Sequence, residues 1–211
     1  MKAEPPVVTK GTLYPEQPVR VIIPADVNVI HTKNLRLRPL MLSDAADLFE
    51  FRSRQDVADW LWPRDPHKNI QETEANIATK TFQTPDASGA IGRRFYFGII
   101  SASDPKQKVV GAVGINSLLP APSIGYGLHP DIWGKGYASE AVAGVIGAWW
   151  NLERIDPVNA EAVPKAERLF AGCNNTNIGS VKVLQKNGFR NFGVVRVEDD
   201  TVARFELERP N

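Results

Sequence analysis

Ile124-Gly125-Tyr126-Gly127-Leu128-His129-Pro130-Asp131-Ile132-Trp133-Gly134-Lys135-Gly136-Tyr137-Ala138-Ser139-Glu140-Ala141 is the most informative stretch of this chain. It reads as a strand ending near Leu128, a Gly-x-Gly turn at Gly134 and Gly136, and a helix opening at Tyr137. That order leaves backbone N–H groups unpaired at the positive end of a helix dipole, which suits an anion. Glycine in the turn removes the Cβ that would keep a phosphate away from the backbone. Lys135 adds a cation and Ser139 a first-turn hydroxyl. A tight turn without a ligand has the same glycines, so the segment alone leaves both readings open. The spacing and the Gly-Lys-Ser/Thr ending of a Walker A loop are absent. So are the third glycine and the chain-opening βαβ unit of a dinucleotide fold.

Upstream, Ser123 to Leu128 reads as the third of three closely spaced strands. Arg94 to Ile100 and Lys108 to Ile115 precede it, joined across a polar, hairpin-type stretch from Ala102 to Gln107. Leu35 and Leu37 alternate with Arg36 and Arg38, a strand with one buried face that opens the domain at Asn34. Ser43 reads as an N-cap, with Asp44 and Asp47 in the first turn. The helix runs through Leu48, Phe49 and Arg52, with a second piece through Val57 and Leu61 ended by Trp60, Trp62 and Pro63. A further helix over Ile70 to Phe82 carries Ile70, Ile77, Ala78 and Thr81 on one side. Downstream, the helix from Tyr137 to Leu152 has a buried stripe of Ala138, Val142, Val145, Trp149 and Leu152. Asp156 to Lys165, with two prolines, reads as a loop, and Leu169 to Cys173 as a strand. Asn177 caps a helix that ends at an αL Gly188, with Phe189 folding back on it. Val194 to Val197 and Ala203 to Leu207 form a closing hairpin around Asp199-Asp200. Residues 1–33 are a Pro-rich N-terminal extension, with Val19 to Ile23 as a short edge strand. The extension is an arm over the core or a disordered tail. Residues 34–211 form the domain.

The 211 residues carry a formal net charge of +1, which asks for no nucleic acid or anionic membrane. At 43% hydrophobic and 23% charged, the composition is globular. The start lacks the apolar core of a secretion signal, and no apolar run approaches the ~20 residues that span a bilayer. The expectation is a cytoplasmic protein, monomeric or homodimeric. Cys173 is the single cysteine and His31, His67 and His129 are scattered, so neither a disulfide nor a metal site is expected.

The segment from Trp133 to Ala141 resembles the acetyl-CoA pyrophosphate loop of the GCN5-related N-acetyltransferase (GNAT) superfamily. It is most similar to the branch of ribosomal-protein N-terminal acetyltransferases. Three other stretches match that branch in order: Leu35 to Leu40 with Ser43-Asp44-Ala45, its opening strand and helix; Val110-Gly111-Ala112-Val113-Gly114-Ile115, its fourth strand; and Asn177 to Phe189, the late helix of its CoA site. The resemblance covers about residues 34 to 209. One residue departs from it: Asp131 stands where the family usually has Gln or Arg, removing one phosphate contact.

The resemblance implies an α/β (α+β) fold, with a central mixed, mostly antiparallel twisted sheet flanked by helices and splayed fourth and fifth strands. It implies an acetyl-CoA-dependent N-acetyltransferase without a metal, transferring acetyl to a primary amine of a small molecule, amino acid or protein N-terminus by direct attack in a ternary complex. The backbone of Tyr126, Gly127 and Leu128 would hold the pantetheine arm, and Trp133, Gly134, Lys135, Gly136, Tyr137, Ala138 and Ser139 the pyrophosphate. An amide near Gly114 to Asn116 would polarise the thioester carbonyl. Asn177 would bind pantetheine, or serve as a plain N-cap, or both. Ser180 would donate to the leaving sulfur.

The residues themselves name no clear base. Glu140 suits the helix dipole better than proton transfer. His129 has a suitable ordinary pKa, and Tyr126 with Asn116 could order a water instead. For the acceptor, Trp60, Trp62, Asp65 and His67 form an aromatic and acidic cluster suited to a cationic amine, or a hydrophobic hinge. A binding module on the same fold, holding CoA or a partner without turnover, is the alternative function; a longer acyl group is another.

Overall fold

Phe95, Phe97 and Ile99 enter one hydrophobic cluster, while Tyr96 and Ile100 enter a second. The near-continuous apolar run in this segment therefore has a simple cause: side chains alternate across a strand, and here both faces are covered. A computed structural model describes residues 5–9, 12–155 and 166–210. The elements are β1 (Ile30–His31), β2 (Leu35–Pro39), α1 (Ala45–Arg52), α2 (Gln55–Ala58), α3 (Ile70–Ala78), β3 (Tyr96–Ser101), β4 (Val109–Ser117), β5 (Ser123–Leu128), α4 (Tyr137–Trp150), β6 (Arg168–Asn174), α5 (Ile178–Lys186), β7 (Arg190–Val197) and β8 (Asp200–Glu208). The expected loop from Asp156 to Lys165 lies outside the described residues.

The strands make one sheet in the order β1-β2-β3-β4-β5-β6-β8-β7. Every neighbouring pair is antiparallel except β5 and β6, which are parallel and share only the register pair Ser123 and Phe170. This is the expected mixed, mostly antiparallel sheet with helices on both faces. Ala141, Val142, Val145 and Trp149 of α4 pack on one face, and Leu48, Phe51 and Ile77 of α1 and α3 on the other. Val110 to Ile115 lies in β4, the fourth strand in chain order, but it pairs with β5, so the separation expected between the fourth and fifth strands in chain order falls between β5 and β6.

Several local expectations need correction. Ser43 does not cap a helix. It lies in a 3-10 turn, Leu42–Asp44, and Asp44 accepts from Met41 N at 2.8 Å and from Arg38 Nη2 at 2.5 Å. Arg38 is the cation paired with that buried carboxylate, so Asp44 serves the strand-to-helix turn. Asp47 binds β4, accepting from Val109 N at 2.8 Å. Helix α3 stops at Ala78 and buries Thr73 and Ile77 while Ile70 is exposed. Of the expected inner residues Ile77 is buried, Ile70 and Ala78 are exposed, and Thr81 lies past the end of the helix, half-buried. In α4 the inner stripe includes Ala141, while Ala138 and Leu152 are half-buried. Asn177 and Gly188 behave as read: Asn177 Oδ1 accepts from Ser180 N at 2.9 Å, Gly188 has φ +83°, and Phe189 N donates to Leu184 O.

Val19 to Ile23 is not a strand; Val21 makes an isolated antiparallel bridge with Arg154. Val21 and Ile23 are nevertheless 0% and 1% exposed, inside the main cluster. Ile23 N donates to Asp86 Oδ2 at 2.8 Å, and Asp86 Oδ1 accepts from Ser88 N and Ala90 N. Desolvation alone would raise the Asp86 pKa, but these bonds and that of the Ser88 hydroxyl hold it below the usual carboxylate range.

Deleting a fully buried Ile side chain costs its transfer free energy plus a cavity term. Ile23→Ala should therefore lower the unfolding free energy by roughly 2–4 kcal/mol in urea titration. A loss below about 0.5 kcal/mol would mean that this segment is a detachable cover.

Candidate functional site

β5 keeps β4 as its partner from Ser123 to Leu128, and β6 keeps β8 along its full length. Past Ser123 the two parallel strands have no shared pairs, so β5 presents an open edge. Backbone groups on such an edge need partners. Two clefts open along it.

The first cleft, of about 360 Å³, is floored by Tyr126, Gly127 and Leu128 and closed by the turn before α4 and the face of α5. Gly134 and Gly136 have φ of +75° and +83°, the left-handed region that glycine adopts without cost. Nothing lies within 4 Å of a Cβ built on either. No side chain caps the N-terminus of α4. Its one first-turn carboxylate, Glu140, points away: it accepts from Thr32 Oγ1 at 2.6 Å, Asn34 N at 2.6 Å and Asn34 Nδ2 at 2.8 Å. Burial works to raise the Glu140 pKa, but these bonds hold it below the usual range. Glu140 is thus a structural tie rather than a base. Trp133 Nε1 donates to Leu128 O at 2.9 Å, pinning the turn to the strand. Lys182 and Lys186, one turn apart on α5, line the same cleft, and no carboxylate does. An uncapped helix N-terminus facing two lysines fits a diphosphate.

The second cleft, of about 450 Å³, lies on the other side of Tyr126 and Ser180. Trp60, Trp62, Leu40, Leu48, Phe51 and Ile77 supply apolar wall. Trp60, Leu61, Tyr126, Gly127 and Ser180 line both clefts. At this junction the Tyr126 hydroxyl donates to Ser180 O at 3.3 Å. Burial pushes the Tyr126 phenol well above its ordinary value, so it stays protonated at neutral pH. Cys173 also lines the second cleft, and burial pushes its thiol up to about 11, which removes its nucleophilic character.

Of the residues expected to hold a cofactor, all but Lys135 line the first cleft. Asn177 spends its side-chain oxygen as the cap of α5, which leaves its N–H donors for a ligand. Asp131 lies outside both clefts. The amide expected near Gly114 to Asn116 is not available at Ile115, whose N–H donates to Phe95 O at 2.8 Å. Asn116 lines the second cleft, in space that glycine at 125 leaves open: a Cβ there would stand 2.0 Å from Asn116 Nδ2. His129 lines neither cleft; its Nδ1 accepts from Asp131 N at 3.2 Å, capping the 3-10 turn Pro130–Ile132. Of the cluster expected to meet the acceptor, Trp60 and Trp62 line the second cleft and Asp65 and His67 do not.

Five cations lining the clefts escaped the sequence reading: Lys182, Lys186, Arg52, Arg64 and Lys80. The first two carried a readable signal, an i, i+4 repeat on the helix that Asn177 caps. Arg52, at the end of α1, Arg64, in the loop before α3, and Lys80, just past the end of α3, carried none. Arg52 Nη2 donates to His67 Nε2 at 2.9 Å, since a guanidinium has only donors, and His67 Nδ1 then gives its proton to Thr73 Oγ1 at 2.8 Å. Burial, then the Arg52 charge, lowers the His67 pKa, so that ring is neutral. Lys80 Nζ donates to Asn116 Oδ1 at 3.2 Å and lies 4.9 Å from the centre of the Tyr96 ring. Burial, with Arg52 second, lowers the Lys80 pKa to about 8.

The family model for the acetyltransferase (GNAT) domain matches residues 34–190. The chain belongs to the GNAT acetyltransferase family. Among relatives of this N-acetyltransferase is the "Probable N-acetyltransferase YjcK" of Bacillus subtilis (strain 168), 28% identical over 179 residues, covering 78% of this chain and 84% of the relative. A GNAT-family acetyltransferase from Bacillus anthracis superposes with a TM-score of 0.64 at 18% identity, over 86% of this chain and 99% of that one. RimL, a ribosomal L7/L12 alpha-N-protein acetyltransferase solved in complex with coenzyme A, superposes with a TM-score of 0.62 at 16% identity, over 86% and 98%. These last two likenesses concern the fold. No helix among the described residues is long and apolar enough to cross a membrane.

A Val side chain at residue 136 would both strain a left-handed φ and fill the space beside the α4 amides. Gly136→Val should weaken CoA binding by about 10-fold or more, each decade being about 1.4 kcal/mol. Calorimetry on a variant with an intact unfolding transition checks this; unchanged affinity would remove the turn from the anion site.

Proposed function

We propose that this acetyltransferase moves acetyl from acetyl-CoA to a primary amine by direct attack in a ternary complex. The observation that carries the reading is the wall common to the two clefts, at Tyr126, Gly127 and Ser180. A ligand in the diphosphate-suited cleft and an amine in the apolar one would meet there. Acetyl-CoA is the co-substrate with the matching chemistry. The α4 first-turn amides, Lys182 and Lys186 would hold its pyrophosphate, and the open β5 edge with the Asn177 amide its pantetheine. The second cleft falls within the ~300–1,000 Å³ typical of small-ligand sites, which favours a small amine over a folded protein surface.

The nitrogen lone pair attacks the thioester carbonyl and the C–N bond forms; the nitrogen then gives up one proton as the C–S bond breaks, and the departing sulfur takes one, leaving an amide and free CoA thiol. Holding both reactants at the junction can supply ~7–11 kcal/mol of the barrier, so a strong base is not obligatory. The amine attacks only when neutral, and the rate should therefore rise with pH as the acceptor deprotonates. Ser180 and the protonated Tyr126 phenol supply hydroxyls at the junction. The shared wall holds no carboxylate or imidazole, which is the observation favouring the alternative of a CoA-binding module without turnover. CoA release that depends on added amine separates the two readings.

A hydroxyl that meets charge only as the C–S bond breaks should act on kcat rather than on ground-state binding. Ser180→Ala should lower kcat by ~10- to ~100-fold with acetyl-CoA affinity nearly unchanged. Steady-state kinetics beside calorimetry checks this. A loss of affinity alone would make Ser180 a cofactor contact, and an unchanged kcat with a loss in Tyr126→Phe would move the donor role to Tyr126.

A further inference from the structure

Two cations stand in the apolar acceptor-side cleft without an acid. Arg52 and Lys80 both line it, and no carboxylate of a described residue lies within 4.0 Å of either. The two acids on the cleft wall are engaged elsewhere: Asp200 pairs with Arg64 and accepts from Asn174 Nδ2 at 3.0 Å, and Asp59 accepts from Gln55 Nε2 at 2.7 Å. The neighbours of the cations are neutral. His67 accepts from Arg52 as an uncharged ring, Asn116 offers an amide oxygen to Lys80, and burial pushes the Tyr96 phenol up to about 12. Arg52 Nε is buried with no hydrogen-bond partner.

Half-buried like charges held side by side repel and lose hydration, a cost that persists in a fold only where something offsets it. Within the described structure the offset is partial: Arg52 has its bond to His67, Lys80 its bond to Asn116 and the face of the Tyr96 ring, and neither has a countercharge. An anion supplied by the acceptor would be one: the guanidinium fork pairs with both oxygens of a carboxylate, and an ammonium adds a point charge beside it. The pair is also well placed along β5. Lys80 meets Asn116 and Tyr96, Asn116 packs against Gly125, and the Tyr96 hydroxyl lies 3.5 Å from Gly125 O. Gly125 directly precedes Tyr126 at the junction of the clefts. The rest of the wall, with Trp60, Trp62, Phe51 and Leu48, is apolar. An anion site one residue along β5 from the junction, a reacting amine at the junction and an apolar wall around both describe a molecule whose carboxylate and amine lie close together and whose remainder is apolar.

We infer that the acceptor is an amine bearing a carboxylate on an apolar framework, an apolar amino acid or a short peptide, with Arg52 and Lys80 as its carboxylate site. This rests on the acetyltransferase reading for the identity of the reacting amine. The same cations count against the cationic, acid-lined acceptor pocket expected from Asp65.

The test measures binding apart from turnover. Protein saturated with CoA is titrated by calorimetry with leucine, methionine, phenylalanine and tryptophan and with dipeptides of the same residues, each as the free carboxylate and as the C-terminal amide. At least one carboxylate should bind about 10-fold or more tightly than its amide, the size of one charge-assisted hydrogen bond. Arg52→Gln and Lys80→Gln should each remove most of that preference, and Lys80→Arg should keep it. The dipeptide arm tells a free amino acid from a peptide C-terminus. The proposal is overturned by amides that bind as well as carboxylates, by a preference that survives both Gln variants, or by no binding of any carboxylate. The same ligands are run with acetyl-CoA and CoA release is followed. A carboxylate that binds with the expected selectivity yet releases no CoA would sink the acetyltransferase reading and leave the anion site standing.

Discussion

β5 and β6 share the pair Ser123 and Phe170 and then separate, each held along its length by a different antiparallel neighbour. Antiparallel ladders are slightly more stable per residue than parallel ones and can be closed by short hairpins. β4 and β8 therefore hold their partners while the parallel seam between them opens. The opening leaves unpaired backbone along β5 in the middle of the sheet, where most folds would close it. Both clefts, the junction at Tyr126 and Ser180, and the approach to the start of α5 follow from that one unzipped seam.

The helices on either side of the seam are tied so that they do not fill it. Glu140 could have capped or screened the first turn of α4; instead Thr32 and Asn34 draw its carboxylate to the far side, leaving the amides uncovered. Trp133 fixes the glycine turn to Leu128 through its indole N–H. Asn177 secures the start of α5 with its oxygen only. Each tie satisfies one group and leaves another open, an economy common at sites that await a ligand.

Charge is divided between the clefts in a way that bulk composition hides. A chain with a formal net charge of +1 still gathers Lys182 and Lys186 in one cleft and Arg52 and Lys80 in the other. The first pair faces the uncapped end of a helix and adds to its field. The second pair faces apolar walls and neutral polar groups, where its effect on a bound anion is least screened.

Features set by a few neighbouring residues were legible in the sequence. The glycine turn before α4, the Asn177 cap, the αL Gly188 and the strands from Arg94 to Leu128 all depend on backbone preferences that act over one or two turns. The motif at Trp133 to Ala141 and its three companion stretches carried the family as well. Where local preferences were nearly balanced, the reading failed: Ser43 and Asp44 compete for the same turn, and Arg38 decides it; Ile70 has the right spacing for a buried face but no core beneath it. The seam was mis-indexed by one strand because strand pairing is chosen by partners distant in the chain. The cleft cations Arg52 and Lys80 were invisible for the same reason. Their proximity depends on α1 and the residues beyond α3 packing over one strand, and their significance on burial away from acids. Charge and side-chain type are written in the sequence; their distances, solvation and partners exist only once the chain is folded.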